Sequence, residues 1–294
     1  MIADKDITKR LLNEVWNRKF YYKQADDFIR KTFSAHGVFL EKLKSYSKKA
    51  QTILECGCGP ATIIELICRK NQICYGIDIS QSSINLAKER LKSKKNIKLS
   101  VGNIEKLSFP NNSFDLVYAT AVFEHLAHPE KALLEMIRVT KKGGILIIMS
   151  PNFGSPFFPS FCFPNNFIAR LKRCLVIIIK SHLYLLKKPN ELDWNKVYPL
   201  ALSKHKYQPD WDTMAEPYLQ TLLIFIKNRH FNILENFSSV QMLNTKISSA
   251  LPFGSLFIRI FNLSLRRLFF WIEKIRLAPY CYFGPDLFVV AKKM

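Results

Sequence analysis

The stretch Ile53-Leu54-Glu55-Cys56-Gly57-Cys58-Gly59-Pro60-Ala61-Thr62 decides how the rest of the chain is read. A short apolar run ends at an acidic residue, Gly57 and Gly59 follow at once, and ATIIELICRK continues with apolar residues at helical spacing. A glycine-rich turn between a strand and a helix lets backbone approach a bound group closely, and the helix N-terminus adds amide donors. A dinucleotide fingerprint needs Gly or Ala at position 62, where Thr62 stands, so the nicotinamide reading loses ground.

Working outward, ICYGIDI, SINLAKERLKS, IKLSVGN, FDLVYA, PEKALLEMIRVT and GILIIMS alternate short apolar runs with helical patterns. Strands alternating with helices of roughly 10–15 residues predict a parallel, helix-covered sheet, a doubly wound Rossmann-like α/β core at 51–152. Residues 1–50 place Ile7, Leu11, Val15, Phe28, Phe33, Val38 and Leu43 at helical spacing, which predicts an N-terminal helical cap. Regularity is lost over 153–217, an excursion rich in Pro, Phe and basic residues, and such excursions from compact α/β domains are usually functional. In 218–294 a helix (YLQTLLIFIKNRH) and two strands (FNILENFS and LFVVAKK) return, with a second apolar and basic excursion at 242–283.

The composition sets outer limits. In 294 residues, 48% hydrophobic and 23% charged side chains exclude a disordered chain, a collagen-like repeat and a disulfide-stapled miniprotein. A net charge of +21 favours anionic partners such as phospholipid headgroups, nucleic acid or phosphorylated substrates. Lys supplies 31 of the 44 positive charges, whereas bidentate reading of phosphate and guanine is Arg work, so nucleic acid is disfavoured. A solvated Lys-rich surface explains the charge equally well. The opening MIADKDITKR lacks an apolar signal region and the seven cysteines are odd in number, which points to a reducing, cytoplasmic setting. The longest charge-free stretch, Gly143 to Ala169, is broken by Pro151, Pro156, Pro159 and Pro164 and cannot be one membrane-spanning helix.

The glycine turn resembles motif I of the class I S-adenosylmethionine-dependent methyltransferases, an acidic residue followed by G-x-G-x-G, with Ala61 in place of the third glycine. Asp78 ends the second strand, 21 residues beyond Gly57. Val101-Gly102-Asn103-Ile104-Glu105-Lys106-Leu107-Ser108-Phe109 is similar to the family's GDAE-L-PF stretch. Phe114-Asp115-Leu116-Val117-Tyr118, Val122-Phe123-Glu124-His125-Leu126, Glu135-Met136-Ile137-Arg138-Val139 and Lys142-Gly143-Gly144-Ile145-Leu146 resemble the methyltransferase type 11 pattern. The resemblance runs from about Thr52 to Asn152, with a looser echo in 231–237 and 287–293.

The resemblance implies a seven-stranded sheet and S-adenosylmethionine as cofactor. It assigns Glu55 to orienting the loop and the methionine ammonium, Gly57 and Gly59 to the close approach, and Asp78 with Ile79 to the ribose. Asn103 and Ile104 then meet the adenine edge, with Ala119 completing the set. Asn103 replaces the usual Asp, and its amide oxygen can still accept from the adenine amino group. Asp115 reads instead as support for its strand.

Glu124 and His125 are the catalytic candidates. A histidine near its ordinary pKa suits proton removal from an acceptor hydroxyl, and it equally suits stabilising a loop. Quinone-ring O-methyltransferases carry E-x-x-E-H here and bind a divalent ion with all three residues, whereas this chain has Ala121 at the first position. No metal is therefore expected, and Cys56 and Cys58 lack a partner pair at metal spacing. Tyr21 and Tyr22 are candidates for a lid or for core, and His205, Asp210 and Asp212 for substrate contact or a solvated loop.

In residues 166–188, Arg173, Lys180 and Lys187 recur every seven residues with Arg170 on the same stripe, and most of the remaining circumference is apolar. Arg259, Arg266, Arg267, Lys274 and Arg276 mix with Phe257, Phe261, Phe269, Phe270 and Trp271 in the second excursion. Helices of this kind lie on an anionic membrane surface, and two such stretches can also pack on one another as a substrate lid or dimer face. The expectation is a methyltransferase of a small or amphipathic acceptor, lipid-linked acceptors included, working at oxygen or carbon. It would be cytoplasmic, or peripheral on the inner membrane surface. The alternatives are a catalytically silent adenosyl-binding scaffold and an RNA methyltransferase. The sequence carries no signal of oligomeric state.

Overall fold

The computed structural model describes residues 4–18, 22, 26–27, 30, 38–164, 166–202, 210–238, 267–268 and 270–294. Tyr21, Phe28, Phe33, His205, Phe257, Arg259, Phe261, Arg266 and Phe269 lie outside the described residues. At the N-terminus α1 (Asp4–Leu11) runs into a π-helical turn, Leu12–Trp16, and α2 covers Val38–Ser47. The core follows as β1 (Thr52–Cys56), α3 (Thr62–Ile67), β2 (Ile73–Asp78), α4 (Gln81–Arg90), β3 (Ile97–Val101), β4 (Phe114–Thr120), α5 (Pro129–Val139) and β5 (Thr140–Pro151). Next come α6 (Phe167–Leu186), the short strands β6 (Asn195–Lys196) and β7 (Ala215–Glu216), α7 (Leu219–Lys227), β8 (Phe231–Phe237) and β9 (Asp286–Lys293).

Seven strands form one sheet in the order β3-β2-β1-β4-β5-β9-β8. β1 to β5 run parallel, and β9 lies antiparallel between β5 and β8. This is the doubly wound, mostly parallel arrangement that the alternating pattern predicts. The strand order turns back between β1 and β4, and in such sheets ligands bind beyond the carboxyl ends of the strands at that point. The Gly57 turn leaves β1 there, and Ala119 to His125 leave β4 beside it.

Strand residues alternate between two cores. Leu54, Val117, Leu146, Ile148 and Val289 face α5 and α7, where Leu133, Met136, Leu222 and Phe225 are fully buried. Ile53, Leu116, Tyr118, Ile147 and Val290 face the other way, onto Phe39 and Leu43 of α2 and Ile64 of α3. Burying each such side chain contributes about 1.5–3 kcal/mol relative to leaving it exposed. Asp115 staples the sheet's lower edge: it accepts from the Gln51 and Thr52 amides at 2.9 and 2.8 Å and from Lys141 Nζ at 2.8 Å.

The excursion after β5 departs from the expected polarity. Arg173 of α6 does not lie on a solvated stripe. It is buried, donating to Glu216 Oε2 at 3.1 Å and to the Ser155 carbonyl at 2.7 Å, while Glu216 also accepts from the Ser160 amide at 2.9 Å. Lys180 pairs with Asp193 at 2.8 Å. Two members of the basic stripe therefore fasten the helix to the body. The inner face, through Ile177 and Ile178, packs with Tyr218, Ile272 and Phe283, so the two excursions do meet. The outward face leaves Phe167, Leu175, Ile179, Leu183 and Leu186 exposed. Among the described residues no helix is long and apolar enough to cross a membrane. Cys68 and Cys74 form a disulfide joining the end of α3 to β2, a pairing that the reading of a reducing setting did not anticipate.

Candidate active site

The glycine turn is built from left-handed backbone: Gly57 has φ +72° and Gly59 φ +49°. Ala61, in place of the third glycine, also takes φ +58° at the start of α3. The Gly57 and Cys58 amides both donate to the Ile77 carbonyl, at 2.8 and 2.9 Å, which binds the turn to the end of β2. A Cβ on Gly57 would lie 2.4 Å from Val122 Cγ2, so the loop after β4 presses directly on the glycine. Among the described residues, a Cβ on Gly59 would meet the Tyr22 ring, 3.7 Å away.

Glu55 sits beneath this turn, fully buried, and accepts from the Ile64 amide at 3.2 Å, an orphan donor of the first turn of α3. Burial pushes its carboxyl up to about 8, against the hydrogen bond from the Ile64 amide. Asp78, at the end of β2, accepts from Gly59 N at 2.8 Å, Ser80 N at 2.9 Å and the Tyr22 hydroxyl at 3.4 Å. Burial raises the Asp78 pKa, and those donors pull it back. Tyr22 is raised well above an ordinary phenol by burial and by Asp78, so it stays a neutral donor. Ile79 is half-buried against Leu11, Val15, Trp16 and Tyr22. Ile104 and Ala119 are buried, whereas Asn103 is exposed and spends its amide oxygen on the Glu105 amide at 2.8 Å.

Beyond the contact of Val122 with the glycine turn, Glu124 and His125 occupy a 3-10 turn after β4. Glu124 is fully buried, accepts from Ser150 Oγ at 2.7 Å, and its carbonyl accepts from Met214 N at 2.8 Å. That backbone bond seats the return of the excursion beside the turn. His125 Nδ1 then lies 3.5 Å from Asp212 Oδ1, and Nε2 lies 3.8 Å from Glu124 Oε1. Burial opposes a charge on His125, yet the carboxylates of Asp212, Glu124 and Asp210 outweigh it and raise the imidazole to about 9. Burial pushes Asp210 up to about 7.

The sequence favours a solvated loop over substrate contact for Asp210 and Asp212, and the structure brings both to His125. Sequence reasoning missed Trp16, whose indole N–H donates to Asp212 Oδ2 at 2.7 Å. No local pattern separates Trp16 from an ordinary core aromatic on a helical stripe.

The residues fit the adenosyl group that the motif implies. Asp78 already accepts a hydroxyl hydrogen bond, from Tyr22, on a buried carboxylate beside a glycine amide, which is the chemistry a ribose hydroxyl needs. Tyr22 and Val122 cover the turn, with the tyrosine hydroxyl on Asp78.

Residues 54–148 match the family described as the methyltransferase domain. This segment is a class I, S-adenosylmethionine-dependent methyltransferase domain. The chain is 37% identical over 110 residues to an uncharacterized methyltransferase of Schizosaccharomyces pombe, covering 34% of this chain and 39% of that protein. It is 34% identical over 109 residues to ajmaline N-methyltransferase of Rauvolfia serpentina, covering 35% and 37%. The chain thus spans under half the length of these relatives. A solved S-adenosylmethionine-dependent methyltransferase from Mesorhizobium loti superposes with a TM-score of 0.53 at 15% identity, covering 87% of this chain and 96% of that one, which is a likeness of fold.

Proposed function

We propose that this protein is an S-adenosylmethionine-dependent methyltransferase of a small or amphipathic acceptor, lipid-linked acceptors among them, working at oxygen or carbon. The observation that carries the reading is a pair of polar groups at the carboxyl ends of β2 and β4. Asp78, the Gly59 amide and the Tyr22 hydroxyl form one, and Glu124, His125 and Asp212 form the other. In this reading Glu55, Gly57, Gly59, Asp78, Ile79, Asn103, Ile104 and Ala119 hold the cofactor. When bound, it supplies a methyl group already activated on a sulfonium.

The chain's own work is placement and exclusion of water. Asp78 receives the ribose hydroxyls as Tyr22 yields its place. Val122 and the β4 turn set the distance between the two groups. Once pH rises through about 9 and His125 loses its own proton, it receives, with Glu124 beside it, the proton of a hydroxyl or carbon acid.

The excursion 153–217 supplies the acceptor side and the outer surface. The outward face of α6 and the two residues after it combine exposed Phe167, Leu175, Ile179 and Leu183 with exposed Arg170, Lys172, Lys187 and Lys188. Those four cations contribute roughly 4 kcal/mol of attraction to an anionic leaflet. In this reading α6 rests peripherally on such a surface and collects acceptor from it.

Calorimetry with S-adenosylmethionine and S-adenosylhomocysteine tests the cofactor assignment, and transfer of labelled methyl into small-molecule, lipid and RNA extracts tests the acceptor class. The ajmaline relative is named for N-methylation, so products are analysed for nitrogen as well. Binding of neither compound overturns the cofactor assignment, and label confined to RNA overturns the acceptor class.

A further inference from the structure

The sequence argued against a metal because Ala121 stands where a third ligand belongs. Folding supplies a different third group. Asp210, 85 positions further along the chain than His125, is carried back to the β4 turn by the excursion, with φ +64°. One ligand atom each from Glu124, His125 and Asp210 lies within 4.8 Å of the others. Ligands opposed across a divalent ion of ~2.1 Å bond length stand about 4.2 Å apart. The observed separation exceeds that span by at most a few tenths of an ångström.

An acidic cluster alone would carry nothing. Here Glu124 is fully buried, and among the described residues its Oε1 has no hydrogen-bond partner although its Oε2 is satisfied by Ser150. His125 Nδ1, 3.5 Å from Asp212 Oδ1, is likewise buried without a hydrogen bond among the described residues. Leaving a buried polar atom unsatisfied costs about 1–3 kcal/mol. Both orphaned atoms belong to the same turn, and Asp210 is the neighbour that completes the group.

We propose that Glu124, His125 and Asp210 form a binding site for one divalent metal ion at the turn after β4, with the excursion supplying its third ligand. Two carboxylates and one imidazole suit Mn2+, Mg2+ or Zn2+ better than soft, thiolate-seeking ions. A seated ion changes the task of His125. The nitrogen that coordinates cannot also hold a proton, so in the loaded protein His125 is a ligand, and the ion acidifies an acceptor hydroxyl bound to it. The site goes beyond methyl transfer and is measurable without it.

The test uses the full chain, freed of metal with a chelator and titrated with MnCl2, MgCl2 and ZnCl2 by calorimetry. Free Mn2+ is followed in parallel by electron paramagnetic resonance. One ion per chain is expected. Asp210→Asn and His125→Ala should each weaken binding about tenfold or more, as loss even of outer-shell partners does, while Asp193→Asn on the surface leaves it unchanged. Circular dichroism shows whether each variant is folded. Should His125→Ala unfold, Asp210→Asn decides, since Asp210 is only half-buried. Wild-type chain that binds none of the three ions at millimolar concentration overturns the site, as does Asp210→Asn binding them like wild type. Neither outcome depends on whether a methyl group is transferred.

Discussion

The indole N–H of Trp16 donates a 2.7 Å hydrogen bond to the carboxylate of Asp212, two buried residues 196 positions apart. The bond ties the N-terminal cap to the excursion after β5. Ser80 Oγ, at the start of α4, donates to the Trp16 carbonyl at 3.0 Å. The cap therefore touches the Asp78 side and the His125 side together. Trp16→Phe keeps the ring and removes the donor. The expected loss is roughly 1–3 kcal/mol of unfolding free energy, read by denaturant titration, and a variant as stable as wild type would show that the bond does not hold the cap down.

Gly57 tolerates no side chain. An alanine there takes a left-handed backbone at about 1–2 kcal/mol and places its Cβ 2.4 Å from Val122. Gly57→Ala should lower the melting temperature and weaken S-adenosylhomocysteine binding at least tenfold. Gly57→Ala combined with Val122→Ala should recover part of both, because only the clash is relieved.

Glu55 makes stability depend on pH. Its ordinary pKa of 4.5 rises to about 8 on folding because it is buried. The folded chain thus binds this proton more tightly, and the contribution is fully present below 4.5 and fades as pH rises through about 8. Glu55→Gln should flatten the melting-temperature profile between those limits, by at most about 5 kcal/mol in free energy. A profile as steep as that of wild type would assign the slope to other groups.

Arg173 and Glu216 form a buried pair at 3.1 Å. Arg173→Met leaves the Glu216 carboxylate buried without its cation and should cost about 3–5 kcal/mol, whereas adding Glu216→Gln should restore much of it. Chemical denaturation of both variants measures the difference, and equal stability of the single and double variants contradicts a coupled pair.

The outward face of α6 is expected to bind vesicles containing anionic lipid in flotation assays, less so as salt rises. Replacing Leu175, Ile179 and Leu183 by Ser should abolish flotation without changing the circular dichroism spectrum. Wild-type chain that stays unbound at low salt removes the membrane role of this face.

Much of the core was legible because its signals are local. The turn at Gly57, the carboxylate closing β2 at Asp78 and the strand–helix alternation lie within a few residues of one another, and backbone geometry ties them to one kind of bend. Asp115 was rightly read as support. For Arg173 the sequence left surface and packing open, since a seven-residue spacing says which charges share a stripe and not which way the stripe faces. Its direction was set by Glu216, a lone carboxylate 43 positions away.

From sequence alone come the doubly wound sheet, the methyltransferase-type turn and the place of the site, because periodicity and short motifs encode local backbone and burial. The grouping of Trp16, Glu124, His125, Asp210 and Asp212, and the outward turn of α6's apolar face, were decided only by tertiary structure. Buried polar atoms must find partners wherever the folded chain brings them, and no spacing along the chain records that meeting.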